Sequence, residues 1–125
     1  MEEYNASVPP KPQEWLALED PERLDLVVAY VNKNEAHLEE SARRMHAAIH
    51  LIVENQLASK IDPTPAVYAR LKRQGLKRHE AIHAIGSVVS ENMFALMDGR
   101  GNPDPADYSD RLKKLTARRW KKGIS

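Results

Sequence analysis

The feature of this sequence that most constrains its fold is a pattern that occurs twice. Residues 46–50 read His-Ala-Ala-Ile-His and residues 79–83 read His-Glu-Ala-Ile-His, so the two stretches are identical at four of five positions. The same further motifs then follow each stretch in one order: Glu-Asn at 54–55 and 91–92, Pro-x-Pro-Ala-x-Tyr at 63–68 and 103–108, and Arg-Leu-Lys at 70–72 and 111–113. These identities predict an internal duplication, with copies at about 46–73 and 79–114.

Two copies are too few for a solenoid, in which each repeat needs neighbours on both sides. A chain of 125 residues is also the usual length of one domain. We therefore predict an all-α helical bundle of about five helices, whose two copies are related by a pseudo-twofold axis. Residues 13–125 form this single domain, and the proline-rich residues 1–12 are expected to be a flexible arm.

Helix boundaries are indicated by capping residues, prolines and glycines. Helix starts are predicted at Asp20-Pro21, Asn34, Thr64-Pro65, Lys77 and Asp104-Pro105. Gly75 is predicted to end one helix in the left-handed conformation. The last helix is expected to continue to about Trp120.

The helix that follows Asn34 carries two stripes of side chains. An apolar stripe, predicted to be buried, contains Leu38, Ala42, Met45, Ile49 and Ile52. A polar stripe beside it contains Glu39, Arg43, His46, His50 and Glu54. Steps of three and four residues keep each set on one side of the helix.

The repeated histidine pairs suggest a metal site. Histidines four residues apart project from one side of a helix and can bind the same ion. A pseudo-twofold axis brings the two pairs face to face, as in bundles that bind metals between helices. The predicted ligands are His46, His50, Glu54, His79, His83 and Glu91. This set suits zinc, iron, manganese or nickel, and the sequence does not choose among them.

Two other functions remain open at this point. The histidines and glutamates can instead form a buried polar network in a structural or interaction module without metal. A nucleic-acid-associated regulator is the other alternative, because residues 111–122 contain seven basic and no acidic residues. Residues 1–40 contain ten acidic and three basic residues, and this gradient also favours head-to-tail association of chains into a homo-oligomer.

Residues 79–83 also fit His-Glu-x-x-His, the helix of zinc proteases, with Glu80 as the base. A metalloprotease is disfavoured, because Val89 stands where the metzincin pattern requires its third histidine. The other copy has Ala47 in place of Glu80, so the glutamate does not recur. No phosphate-binding loop or nucleophile elbow is present, and the sequence assigns no catalytic residue.

The composition of the chain indicates in which cellular compartment the protein is located. The chain contains no cysteine, which excludes disulfides, thiolate ligands and a cysteine nucleophile. No apolar run approaches the roughly 20 residues of a transmembrane helix, and the first residues lack the features of a signal peptide. We therefore expect a cytoplasmic protein without a membrane partner.

One region resembles known bacterial proteins. Residues 50–56, His-Leu-Ile-Val-Glu-Asn-Gln, together with His46, resemble a helix of bacterial families of unknown function. Residues 74–86, Gln-Gly-Leu-Lys-Arg-His-Glu-Ala-Ile-His-Ala-Ile-Gly, add to a resemblance that covers about residues 43–95. It implies a bacterial helical protein, and it carries no catalytic residue over to this chain.

Overall fold

The computed structural model describes residues 1–97 and 105–123, and the regular elements within them are all α-helices. The predicted all-α bundle is therefore confirmed. The helices of the described residues are α1 (Pro12–Ala17), α2 (Asp20–Asn34), α3 (Glu40–Ala58), α4 (Thr64–Arg73), α5 (Arg78–Met97), α6 (Pro105–Lys114) and α7 (Ala117–Lys121).

The described residues form seven helices rather than about five. One additional helix is the short α1, which lies before the predicted start at Asp20. The other arises because the last predicted helix is divided into α6 and α7. Thr116 has extended backbone angles, and its side chain accepts a hydrogen bond from the backbone N–H of Arg119. Thr116 thus caps a new helix instead of continuing α6.

The helices that carry the two predicted copies have similar lengths. Helices α3 and α4 contain 19 and 10 residues, and α5 and α6 contain 20 and 10 residues. This order agrees with a duplication, but the pseudo-twofold relation stays a prediction.

Helix α3 lies between two apolar clusters. On one side, its residue Ala47 packs in a cluster with the N-terminal segment, α1 and α2. Farther along, Val53 belongs to a larger cluster formed with α4, α5, α6 and α7. His50, the polar residue of α3 between Ala47 and Val53, is consequently held at the junction of the two clusters.

The first residues of the chain are anchored to the bundle. Tyr4 and Ala6 are buried, and the ring centroid of Tyr4 lies 5.7 Å from that of Trp15 and 5.4 Å from that of Tyr30. The expectation of a flexible arm over residues 1–12 does not describe these two residues. The physical reason is the aromatic ring of Tyr4, whose burial against other rings offsets the entropy lost by ordering the segment.

The turn between α4 and α5 fixes where α5 begins. Gly75 has a φ of +97°, as predicted for a left-handed helix end. The backbone N–H of Gly75 donates to Lys72 O, and that of Leu76 donates to Leu71 O, the two hydrogen bonds of a Schellman motif. This turn lets α5 start at Arg78, beside α3. None of the described helices has the length and apolarity needed to cross a membrane.

Candidate metal centre

Three histidine side chains converge between α3 and α5. The Nε2 atom of His50 lies 3.2 Å from Nε2 of His46 and 3.1 Å from Nε2 of His83. One ring nitrogen from each of the three residues lies within 4.8 Å of the others. His46 and His50 are one turn apart on α3, and His83 reaches them from α5. The cluster therefore requires both helices.

The close approach of the two helices depends on a glycine. Gly86 lies on α5 three residues after His83, and a Cβ atom at this position would be 2.8 Å from Cγ2 of Ile49. A side chain larger than hydrogen therefore requires Ile49 or the helix backbone to shift. Gly86 thus sets the separation across which His50 and His83 meet.

We expect Gly86→Ala to lower the free energy of unfolding by about 1–3 kcal/mol, because the new methyl group overpacks the interface between α3 and α5. Urea denaturation of the variant measures this loss. The same substitution in an Ile49→Ala background is the control, because the Cγ2 atom that the new methyl group would meet is then absent and the loss should be smaller. Equal stability of Gly86→Ala and wild type would contradict the proposed role of Gly86.

The ring of His50 is oriented by a chain of buried hydrogen bonds. Its Nδ1 atom lies 3.2 Å from the hydroxyl oxygen of Tyr4, and this hydroxyl donates to Oε2 of Glu54 at 2.5 Å. Because the Tyr4 proton goes to the carboxylate, the Tyr4 oxygen is free to accept a hydrogen bond from Nδ1–H of His50. This tautomer leaves a lone pair on Nε2 of His50, which is the atom that faces the other two histidines.

The far end of this chain is a buried ion pair. Arg78 donates from Nη2 to Oε1 of Glu54 at 2.7 Å and from Nη1 to Oε2 at 2.8 Å. Nη1 also donates to the backbone carbonyl of Ala6 at 3.0 Å. Burial by itself lowers the pKa of Arg78, but the hydrogen bonds and charge of Glu54 outweigh it and raise the pKa. Glu54 thus accepts hydrogen bonds from both Arg78 and the Tyr4 hydroxyl.

Burial keeps the three imidazoles neutral. It lowers the pKa of His50 to about 3, and the neighbouring His83 and His46 add to this effect. Burial also lowers the pKa of His46 and of His83. Neutral imidazole is the form that binds metal ions, so the cluster is in its metal-binding form at neutral pH.

A single nitrogen of His50, Nε2, faces the ring nitrogens of both other histidines. A neutral imidazole nitrogen without a proton has a single lone pair in the ring plane, and it accepts one good hydrogen bond. Nε2 of His50 has two nitrogen neighbours at hydrogen-bond distance, so its lone pair can accept a good hydrogen bond from only one of them. A cation between the nitrogens would accept all three lone pairs at once.

A cavity of about 200 Å³ adjoins the cluster. Besides the three histidines, it is lined by Ile49 and Ile82 and by Gly86, Ser87 and Ser90 of α5. An ion held by the histidines therefore has space beside it for a further ligand.

The other predicted ligands lie outside this cluster. The ring of His79 is 6.0 Å from that of His83, centroid to centroid, and His79 is not among the convergent nitrogens. Glu54 is paired with Arg78, and Glu91 is exposed. The carboxylate of Glu80 accepts a hydrogen bond from the backbone N–H of Lys77, so it caps the start of α5.

Sequence analysis missed two residues that organise the cluster, Tyr4 and Arg78. The one sequence feature that could have indicated a role for Arg78 is its position immediately before the second histidine motif. The burial of α3 also differs from the predicted pattern, because His50 and Glu54 are 1% and 2% exposed whereas Met45 is 40% exposed. Only the C-terminal part of the polar stripe thus faces the centre of the protein, and the predicted apolar stripe is not buried as a whole.

The basic C-terminal region has both packed and exposed side chains. Trp120 packs against the larger apolar cluster, while Arg118, Arg119, Lys121 and Lys122 are exposed. The indole is therefore part of the fold, and binding of nucleic acid by this region stays a prediction.

No protein-family model, curated protein or solved structure matches this chain. The similarity to bacterial helical proteins therefore stays a prediction. Any functional interpretation rests on the geometry of the site itself.

Proposed function

We propose that this protein binds one divalent transition-metal ion through the Nε2 atoms of His46, His50 and His83. The observation that carries this proposal is the orientation of His50, whose Nδ1 atom is hydrogen-bonded to Tyr4 and whose Nε2 atom faces the other two histidines. Histidine ligands of metals in proteins are commonly held in this way, with the second ring nitrogen donating to a protein group.

Two of the three separations between the nitrogens, those from His50 to His46 and to His83, suit a tetrahedral ion. With zinc–nitrogen bonds of about 2.0–2.1 Å, nitrogens 3.1–3.2 Å apart subtend an angle of roughly 100° at the metal. Zinc accepts such angles readily, and three neutral imidazoles suit its borderline-soft character. We therefore expect zinc to bind, with iron, manganese and nickel as the competing ions.

Metal analysis of protein purified without a histidine tag tests the proposal. We expect about one equivalent of metal in the wild type after incubation with zinc and removal of the excess. His83→Ala should lose this metal, because it removes one of the three nitrogens. His37→Ala is the control, since His37 is an exposed histidine that pairs with Glu35 outside the cluster. Circular dichroism of each variant verifies that it is folded.

If zinc fails to bind the folded wild type in a calorimetric titration, the proposal is wrong. The histidines would then serve only the polar network that links Tyr4, Glu54 and Arg78. Equal metal content in His83→Ala and wild type would also contradict it, because the bound ion would lie elsewhere.

The orienting role of Tyr4 leads to a separate prediction. Tyr4→Phe removes the oxygen that accepts from Nδ1 of His50 but retains the ring that packs on Trp15 and Tyr30. We expect zinc affinity to fall by about 10- to 100-fold, as measured by competition with a chromophoric chelator. Tyr108→Phe provides the control, because its hydroxyl donates to Gln56 instead. An unchanged affinity for Tyr4→Phe would show that this contact does not orient the ligand.

A further inference from the structure

The cluster supplies three ligands and adjoins a cavity, which is the arrangement of a catalytic metal site. Structural zinc sites have four protein ligands, whereas catalytic sites have three protein ligands and a water molecule in the fourth position. The described residues place three nitrogens together, and the cavity of about 200 Å³ is the space beside them. We propose that the bound metal activates a water molecule in this cavity for hydrolysis of small, uncharged esters. This inference rests on the proposed function.

The lining of the cavity defines the class of substrate. Ile49 and Ile82 provide apolar surface, and Ser87 and Ser90 provide hydroxyl groups. Within the described part of the chain, no lining side chain is charged at neutral pH, so the ion would be the main charge in the site. It would repel a cationic substrate, and an anionic substrate would bind the ion in place of the attacking water. The volume is also below the 300–1,000 Å³ typical of sites for drug-sized ligands. An ester with a short acyl chain meets both conditions.

Ser87 is placed to orient the attacking oxygen. It lies one helical turn after His83 on the same side of α5, and its hydroxyl donates to the backbone carbonyl of Ala84 at 2.6 Å. Because this proton is committed, the lone pairs of the Ser87 oxygen would be available to accept a hydrogen bond from a hydroxide bound to an ion held by the three histidines. A hydroxide has a single O–H bond, so donating it to Ser87 would leave the lone pairs of the hydroxide oxygen directed towards the cavity.

The reaction needs no reagent other than water. An ion held by His46, His50 and His83 would lower the pKa of a bound water, which would release a proton to solvent and become hydroxide. The hydroxide oxygen forms a bond with the carbonyl carbon of the ester, and the bond from this carbon to the alkoxy oxygen then breaks. The electron pair leaves with the alkoxy oxygen, which takes up a proton according to its pKa. The carboxylic acid departs, and a second water molecule replaces it on the metal.

The test uses full-length protein loaded with cobalt(II), whose visible absorption reports the coordination of the ion. Metal content and the absorption spectrum are measured first. We then expect azide to change the spectrum by binding at the open position, and 4-nitrophenyl acetate to be hydrolysed by both the cobalt- and zinc-loaded proteins. Free metal at the same concentration and His83→Ala should show neither effect.

Variants separate an open site from a closed one. His79→Ala should retain the metal and the azide response, because His79 is not a ligand in an open three-histidine site. Ser87→Ala should retain metal affinity but hydrolyse the ester about 10- to 100-fold more slowly. Ser41→Ala, a change at an exposed serine of α3, should retain both properties.

The outcomes also separate this inference from the proposed function. One equivalent of cobalt with no azide response, together with loss of metal in His79→Ala, means a closed four-histidine site and overturns the inference alone. An azide response without ester hydrolysis above the free-metal rate also overturns it, since the open site would then lack this activity. Absence of any bound metal overturns the proposed function first, and the inference with it.

Discussion

Arg78→Ala is expected to lower the free energy of unfolding by about 3–5 kcal/mol, because it leaves the charge of Glu54 buried without a partner. The two side chains form a double hydrogen bond, and their exposed fractions are 5% and 1%. The carboxylate of Glu54 would retain only the hydrogen bond from Tyr4. Urea denaturation followed by circular dichroism measures the loss.

A surface ion pair provides a matched control for this prediction. Arg44 pairs with Glu40 at 3.0 Å, and both side chains are more than 70% exposed, at 75% and 72%. Arg44→Ala should therefore cost less than about 1 kcal/mol. If Arg78→Ala were no more destabilising than Arg44→Ala, Glu54 would not be a buried charge that depends on Arg78.

A double variant separates the charge of Glu54 from the packing of Arg78. In Arg78→Ala with Glu54→Gln, the unpaired charge is removed while the amide keeps an oxygen to accept from Tyr4. We expect the double variant to be more stable than Arg78→Ala alone, because the largest part of the loss is an uncompensated charge. If the double variant loses the sum of the two single effects, the two residues do not interact.

The fold was predictable because its signals are local. Thr64-Pro65 begins α4 where expected, and Gly75 ends the helix with positive φ. Such signals depend on the backbone needs of a few neighbouring residues, and a single sequence shows them directly. The division between α6 and α7 was not predictable from the same pattern, since it depends on the backbone conformation of Thr116.

The candidate site was predictable only in part, because its organisation depends on distant contacts. The predicted duplication placed histidines on two facing helices, and the structure brings His46, His50 and His83 together. The pattern predicted His79 as a ligand equally with His46, and Glu91 equally with Glu54. What separates the members of each pair is their surroundings in the folded protein.

The two predicted copies differ in their surroundings because of the N-terminal segment. Tyr4 packs against α3 and reaches both His50 and Glu54, which are 46 and 50 residues away in the sequence. Glu54 therefore has buried partners, whereas Glu91 is exposed. Hydrophobic periodicity also predicted that Met45 lies in the core. This prediction fails because polar side chains that have their own hydrogen-bond partners can be buried in place of apolar ones.

The stability of the metal-free protein should fall as the pH is lowered from 6.5 towards 3. The pKa of His50 is about 3 in the folded protein and 6.5 in the unfolded chain, so at intermediate pH the unfolded state binds a proton that the folded state does not. Below pH 6, His50 alone lowers the free energy of unfolding by about 1.4 kcal/mol for each pH unit. The lowered pKa values of His46 and His83 act in the same direction.

Carboxylates also titrate in acid, so the contribution of His50 is best measured between pH 5 and 6.5 as a difference between two proteins. His50→Asn does not titrate, and its amide can still donate towards Tyr4 from near the position of Nδ1. We expect a shallower dependence of the free energy of unfolding on pH for His50→Asn than for wild type, although the variant is less stable at pH 7. Parallel curves would mean that the folded protein accepts a proton on His50 as readily as the unfolded chain does. His50 would then spend part of its time protonated near neutral pH, and a proton would compete directly with any metal ion for its Nε2 atom.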